Sequence, residues 1–150
     1  MLCYKITICY HCIEVVRSIK SKKGRGYVYS IQYHIVWCVK YRRKVLTGAV
    51  EEKLKEILFK IADENGFTIE EFNCDQDHVH LLIDCKPQHY IPNFIKALKG
   101  VSGRFMFENC PWLKESVEDG HLWNPGYFIV TDSENTVAQV KAYIHSQKEK

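Results

Sequence analysis

From Tyr27 to Val39 apolar and polar residues alternate, and the run is rich in β-branched and aromatic side chains. Period two predicts a strand over 27–39, with Tyr33, Ile35, Trp37 and Val39 on one face and His34, Val36 and Cys38 on the other. The period then changes. Val50, Leu54, Ile57, Leu58 and Ile61 recur at helical spacing and Asn65-Gly66 is a stop signal, so a helix is predicted over 48–65. Two strands follow, over 67–73 and over the apolar run 77–84. Pro92 starts a second helix reaching Phe107, with Phe94, Ile95, Leu98 and Met106 on its buried side; Gly100 and Gly103 weaken its middle. Pro125-Gly126 breaks the chain before a strand over 127–130, in which Tyr127 is a core position. A last helix begins near Ser133, with Val137, Val140 and Ile144 on its apolar side. This order predicts an α+β domain: a ferredoxin-like or RRM-like antiparallel sheet, helices on one face, and an added C-terminal helix.

Composition narrows this only a little. The 150 residues, 46% hydrophobic and 26% charged, exclude disorder, collagen, coiled coil and multi-pass membrane protein as whole-chain readings. The linker-like Ser21–Gly26 separates an N-terminal extension, 1–24, from a single domain, 25–150. The seven cysteines form no regular framework, and no leader-like charge precedes the first apolar stretch; both point to a cytoplasmic protein. Cys9 and Cys12 have the spacing of a metal or redox pair, with no second pair nearby.

Charge distribution says more than net charge. The formal sum is +3, yet Arg17, Lys20, Lys22, Lys23, Arg25, Lys40, Arg42, Arg43 and Lys44 fall in a stretch without one acid. Tyr27, Tyr29, Tyr33, Trp37 and Tyr41 are interleaved with them. Such a block suits a polyanion whose bases stack on aromatic rings; it also suits a solvated face over buried sheet aromatics.

Two short patterns carry chemistry. His78-Val79-His80 lies on a predicted strand, so both imidazoles share a face and form half of a divalent-metal site. The same pattern is met as a pair of hydrogen-bonded sheet histidines. Tyr143 and Gln147, four apart on the last helix, share a face too. The phenol is a nucleophile toward phosphorus once a metal or base activates it, and the amide oxygen is a hard-metal ligand. Taken together, the two patterns make a phosphodiester-transfer set. His34 reads as a packed sheet residue, His121 and His145 as surface, and Tyr41 and Tyr127 as rival tyrosines.

Four stretches resemble a known family. They are Tyr33 to Leu46, Asp77 to Ile83, Lys99 to Phe105, and Leu122 to Phe128 followed by Tyr143 to Gln147. Over about 27–147 the chain is similar to the single-tyrosine HUH transposases of the smallest bacterial insertion sequences. The resemblance implies that His78, His80 and Gln147 ligate Mg²⁺ or Mn²⁺. It implies that Tyr143 attacks single-stranded DNA to form a 5′-phosphotyrosine, later resealed by a 3′-OH. The substrate would be single-stranded DNA with imperfect hairpins, gripped by Lys40, Arg42, Arg43, Lys44, Lys96, Lys99 and Arg104. The protein would be a homodimer with composite active sites, cytoplasmic and associated with the nucleoid on DNA, with no membrane partner. A domesticated, non-cutting DNA- or RNA-hairpin binder of the same fold is the alternative. Val39 and Gln76 stand where the family usually has proline, and Thr131-Asp132-Ser133 lacks the glycine common before the last helix.

Overall fold

The apolar stripe Val50, Leu54, Ile57, Leu58 and Ile61 forms a helix because burying it against a sheet covers one whole face of the segment. In the computed structural model, which describes residues 22–117 and 119–132, this helix α1 is Ala49–Asn65. Its end is chemical: Gly66 takes φ 75°, a left-handed conformation that costs glycine nothing, and its N–H bonds the last turn.

The described residues fall into two units, 22–30 and 31–132. The first is a hairpin of β1 (Lys22–Gly24) and β2 (Tyr27–Tyr29), antiparallel, with Gly26 at φ 83° in the turn. The linker expected over 21–26 therefore includes a strand. The single strand expected over 27–39 is two strands, because its pairing partner changes: 27–29 pairs with 22–24, whereas 32–38 belongs to another sheet.

The second unit holds that sheet. Its strands are β3 (Gln32–Cys38), β4 (Thr68–Cys74), β5 (His78–Asp84) and β6 (Phe128–Asp132), in the order β4-β5-β3-β6, all antiparallel. With α1 between β3 and β4, and a helical run between β5 and β6, this is the predicted βαββαβ order. The helical run is α2 (Ile91–Lys96), a π turn (Ala97–Val101) and α3 (Ser102–Asn109), and the short α4 (Leu113–Ser116) follows. The π turn falls in the weakened middle, and it contains Gly100. The helix expected from Ser133, with Tyr143 and Gln147, lies outside the described residues.

One sheet face is the core. Ile35, Trp37, Val39, Val79, Leu81 and Ile83 are buried against Leu54, Leu58, Ile61, Leu98 and Met106. The other face carries His34, Val36, Cys38, His78 and His80, all half-buried. Among the described residues no helix is long and apolar enough to cross a membrane. Burial pushes the Cys74 and Cys85 thiols up to about 12, as for unreactive reduced cysteines. Cys9 and Cys12 lie outside the described residues.

A polar pin crosses the core. Ser102 is fully buried; its Oγ accepts from Trp123 Nε1 at 3.0 Å and donates to the Lys99 carbonyl. Ser102→Ala leaves a buried indole N–H without its acceptor. The expected loss is about 1–3 kcal/mol, read as a lower thermal midpoint.

Candidate functional site

β3 and β5 run antiparallel with Val36 opposite His80 and Cys38 opposite His78. This register sets both histidines on the open face, two residues apart along the strand, with ring centroids 4.9 Å apart. The i, i+2 expectation for the pair is met.

Each imidazole is held through Nδ1. His78 Nδ1 lies 2.5 Å from Asp77 Oδ1, and His80 Nδ1 lies 3.1 Å from His34 Nε2. Hence His34 is a packed sheet residue, and it packs on the histidine pair itself. Neither Nε2 has a partner among the described residues. Burial, with His78 and His34 nearby, holds His80 below the usual histidine range and so keeps it neutral at pH 7. The Asp77 carboxyl is held below its ordinary value, chiefly by the hydrogen bond from His78 and further by Arg42. Two imidazoles with bonded Nδ1 and, among the described residues, unpartnered Nε2 suit a divalent cation such as Mg²⁺ or Mn²⁺. Among the described residues no cluster of three or more His, Cys, Asp or Glu side chains is arranged to hold a metal ion. Gln147, the expected third ligand, and Tyr143, the expected nucleophile, lie outside those residues.

A cavity of about 450 Å³ opens over the pair, lined by Val36, Cys38, Arg42, Asn124, Tyr127 and Phe128 among others. Tyr127 is corrected here. It is 44% exposed and precedes β6, so it is not a core strand position. The cause is the preceding loop. Residues 122–124 extend the sheet beside the end of β3, through Lys40 N–H to the Leu122 carbonyl and Asn124 N–H to the Cys38 carbonyl. The ladder resumes only where Phe128 faces Val36. Between them the chain bulges outward, and Lys99 holds it there. The Lys99 ammonium donates to the carbonyls of Asn124, Pro125 and Gly126 at 2.6, 3.0 and 2.9 Å, and lies 5.7 Å from the Tyr127 ring centroid.

The other expected DNA-contacting residues separate by partner. Lys99 directs its N–H donors to three loop carbonyls, and burial holds its pKa below the ordinary lysine range. Lys40 bonds Asp119 at 2.8 Å, which raises its pKa, and Arg42 bonds Asp77 at 3.1 Å. Both sit in a tight 3₁₀ turn, Lys40–Arg42, where Tyr41 and Arg42 take φ 56° and 51°. Left-handed backbone costs a non-glycine residue roughly 1–2 kcal/mol. The Asp119 and Asp77 contacts hold the turn, with the Tyr41 hydroxyl donating to Asp119 as well. Arg104 lies 3.9 Å from Glu108 and over the Phe105 ring. Arg43, Lys44 and Lys96 are exposed. A second cavity, of about 700 Å³, is lined by Lys40, Lys99, Arg104, Lys114, His121, Phe107 and Trp123 among others. His121 is exposed, as expected. Val39 and Gln76 each use an N–H that proline lacks, to the Asp77 carbonyl and to Asp75 Oδ1.

The sequence pattern alone assigns no role to Asp77, Asp119 or Lys114. Asp77 carries a signal, since it immediately precedes the histidine strand; nothing in the local pattern marks the other two.

Residues 27–147 match the model of a family described as "Transposase IS200 like". The chain is 53% identical over 136 residues to ISDra2 transposase TnpA of Deinococcus radiodurans, across 91% of this chain and 97% of that one. It is 32% identical over 121 residues to the transposase for insertion sequence element IS200 of Salmonella typhimurium, across 81% and 79%. A crystal structure described as a transposase, from D. radiodurans R1, superposes with a TM-score of 0.72 at 50% identity, covering 84% of this chain and 97% of that chain. A REP-associated tyrosine transposase bound to a REP hairpin superposes with a TM-score of 0.53 at 16% identity, covering 84% and 67%; at that identity the likeness is one of fold.

Proposed function

We propose, from the premise that this chain belongs to the IS200-like transposase family, that it cleaves and rejoins single-stranded DNA at insertion-sequence ends through a tyrosine. The observation that carries the reading is the histidine pair on the open sheet face, with Nδ1 atoms bonded and Nε2 atoms unpartnered among the described residues. His78, His80 and Gln147 would hold a divalent cation, Mg²⁺ or Mn²⁺. That ion, when bound, supplies positive charge that polarises the scissile phosphate.

The chain's own part is nucleophilic. The Tyr143 oxygen attacks phosphorus, the bond from phosphorus to O3′ breaks, and the departing oxygen takes a proton to become a free 3′-OH. The product is a 5′-phosphotyrosine. A 3′-OH then attacks that phosphorus, expels the phenolate and reseals the strand. One phosphodiester is exchanged for another, so no ATP is consumed. DNA with imperfect hairpins is held by Lys40, Arg42, Arg43, Lys44, Lys96 and Arg104, while Lys99 acts by shaping the bulge beside the histidines. The catalytic domain is 25–150 and 1–24 is an extension to it. Two copies form a dimer with composite sites, working on the nucleoid in the cytoplasm.

Labelled single-stranded hairpin DNA incubated with the protein and Mg²⁺, then run on a denaturing gel, tests this. A covalent protein–DNA band is expected. Binding in a native gel without that band would mark a non-cutting hairpin binder instead.

A further inference from the structure

A carboxylate only accepts hydrogen bonds. The 2.5 Å contact between Asp77 Oδ1 and His78 Nδ1 therefore assigns the proton of a neutral His78 to Nδ1 and leaves Nε2 with its lone pair. The other oxygen of Asp77 is engaged too: Oδ2 accepts from Arg42 Nε at 3.1 Å. Asp77 is itself fastened, since its backbone carbonyl accepts from Val39 N–H at 2.8 Å. Its side chain is 16% exposed and that of His78 23%, so water competes poorly for this contact.

We infer that Asp77 is a positioning residue: it fixes the proton of His78 on Nδ1 and so presents Nε2 to a divalent cation, while Arg42 holds the far carboxylate oxygen. This rests on the metal role proposed above for His78. Outer partners of this kind fix both the tautomer and the ring orientation of a ligating histidine.

The arrangement makes an unusual demand on asparagine. An amide has one acceptor oxygen and one NH₂ group. In Asp77→Asn the charged Arg42 donor claims the oxygen, and the NH₂ turns to His78 Nδ1. Nδ1 must then accept, so the proton moves to Nε2 and blocks the ligand atom. Removing Arg42 as well frees the amide to turn its oxygen back to His78. A merely space-filling Asp77 predicts no such rescue.

Two measurements on the full chain without DNA read this. The first is the His78 tautomer by ¹⁵N–¹H correlation; the second is Mn²⁺ affinity by titration. The wild type is expected to carry the proton on Nδ1. Asp77→Asn should move it to Nε2 and weaken Mn²⁺ by about 10–100-fold, and Asp77→Asn with Arg42→Ala should recover much of that loss. Asp77→Asn changes no volume, so it is expected to fold, and a thermal melt checks this. A wild-type proton on Nε2 overturns the inference. So does unchanged Mn²⁺ affinity in Asp77→Asn beside a clear loss in His78→Ala, which leaves the metal role of His78 standing. A His78→Ala variant that binds Mn²⁺ like the wild type overturns that metal role, and the inference with it.

Discussion

Tyr143→Phe is expected to abolish covalent protein–DNA adducts while leaving hairpin binding within about twofold. The substitution keeps the ring and removes one oxygen, which is the atom proposed to bond to phosphorus. Removing a covalent nucleophile costs on the order of a millionfold in rate where other groups cannot substitute. Binding rests on cationic and aromatic side chains elsewhere, so it should persist. Denaturing gels read the adduct and fluorescence anisotropy reads the binding. Persistent adduct would shift attention to Tyr127, which lines the same cavity as His78 and His80 and is 44% exposed. Tyr127→Phe is the matching control and should cut normally.

His80→Ala is the second large effect. Its imidazole is proposed as a direct ligand, and its Nδ1 is tied to His34. Loss of an outer partner alone costs about 10–100-fold in metal affinity, so loss of the ligand should cost more than about a hundredfold in Mn²⁺ binding. Cleavage should fall below detection, because the scissile phosphate loses its polarising charge. Stability should change little. His80 is half-buried on the open face, so water can reach the freed His34 nitrogen. Isothermal titration with Mn²⁺ and a thermal melt separate the two effects. Metal affinity equal to wild type would remove His80 from the ligand set.

The chain's patterning carries most of the fold. Helix α1 ends where Asn65-Gly66 predicts, and the open and core faces of β3 divide as the alternation of Tyr33 to Val39 predicts. What local pattern could not carry was pairing. Whether 27–29 continues into 32–38 depends on the partner each finds, and 22–24 claims the first piece. The same holds at Tyr127, whose β-like neighbours are displaced by an ammonium from Lys99, 28 positions back in the sequence. The site divided along similar lines. His78 and His80 are legible because period two places them together. Asp119 is not, since its hold on Lys40 and Tyr41 spans the sequence from 40 to 119. Along the sequence the cations suggest a charge field, yet Lys40 and Arg42 of the basic block, and Lys99 of the second helix, each have a partner inside the protein. Charge counted along a chain does not say which cations remain for a ligand.

Peptide mapping of the covalent product tests the central claim most directly. The wild-type protein is incubated with single-stranded hairpin DNA and Mg²⁺, digested with nuclease and trypsin, and analysed by mass spectrometry. The account predicts a 5′-linked nucleotide on the tryptic peptide Ala142–Lys148, at Tyr143. A nucleotide on a peptide bearing Tyr41 or Tyr127, or cleaved DNA with no protein linkage, would contradict it.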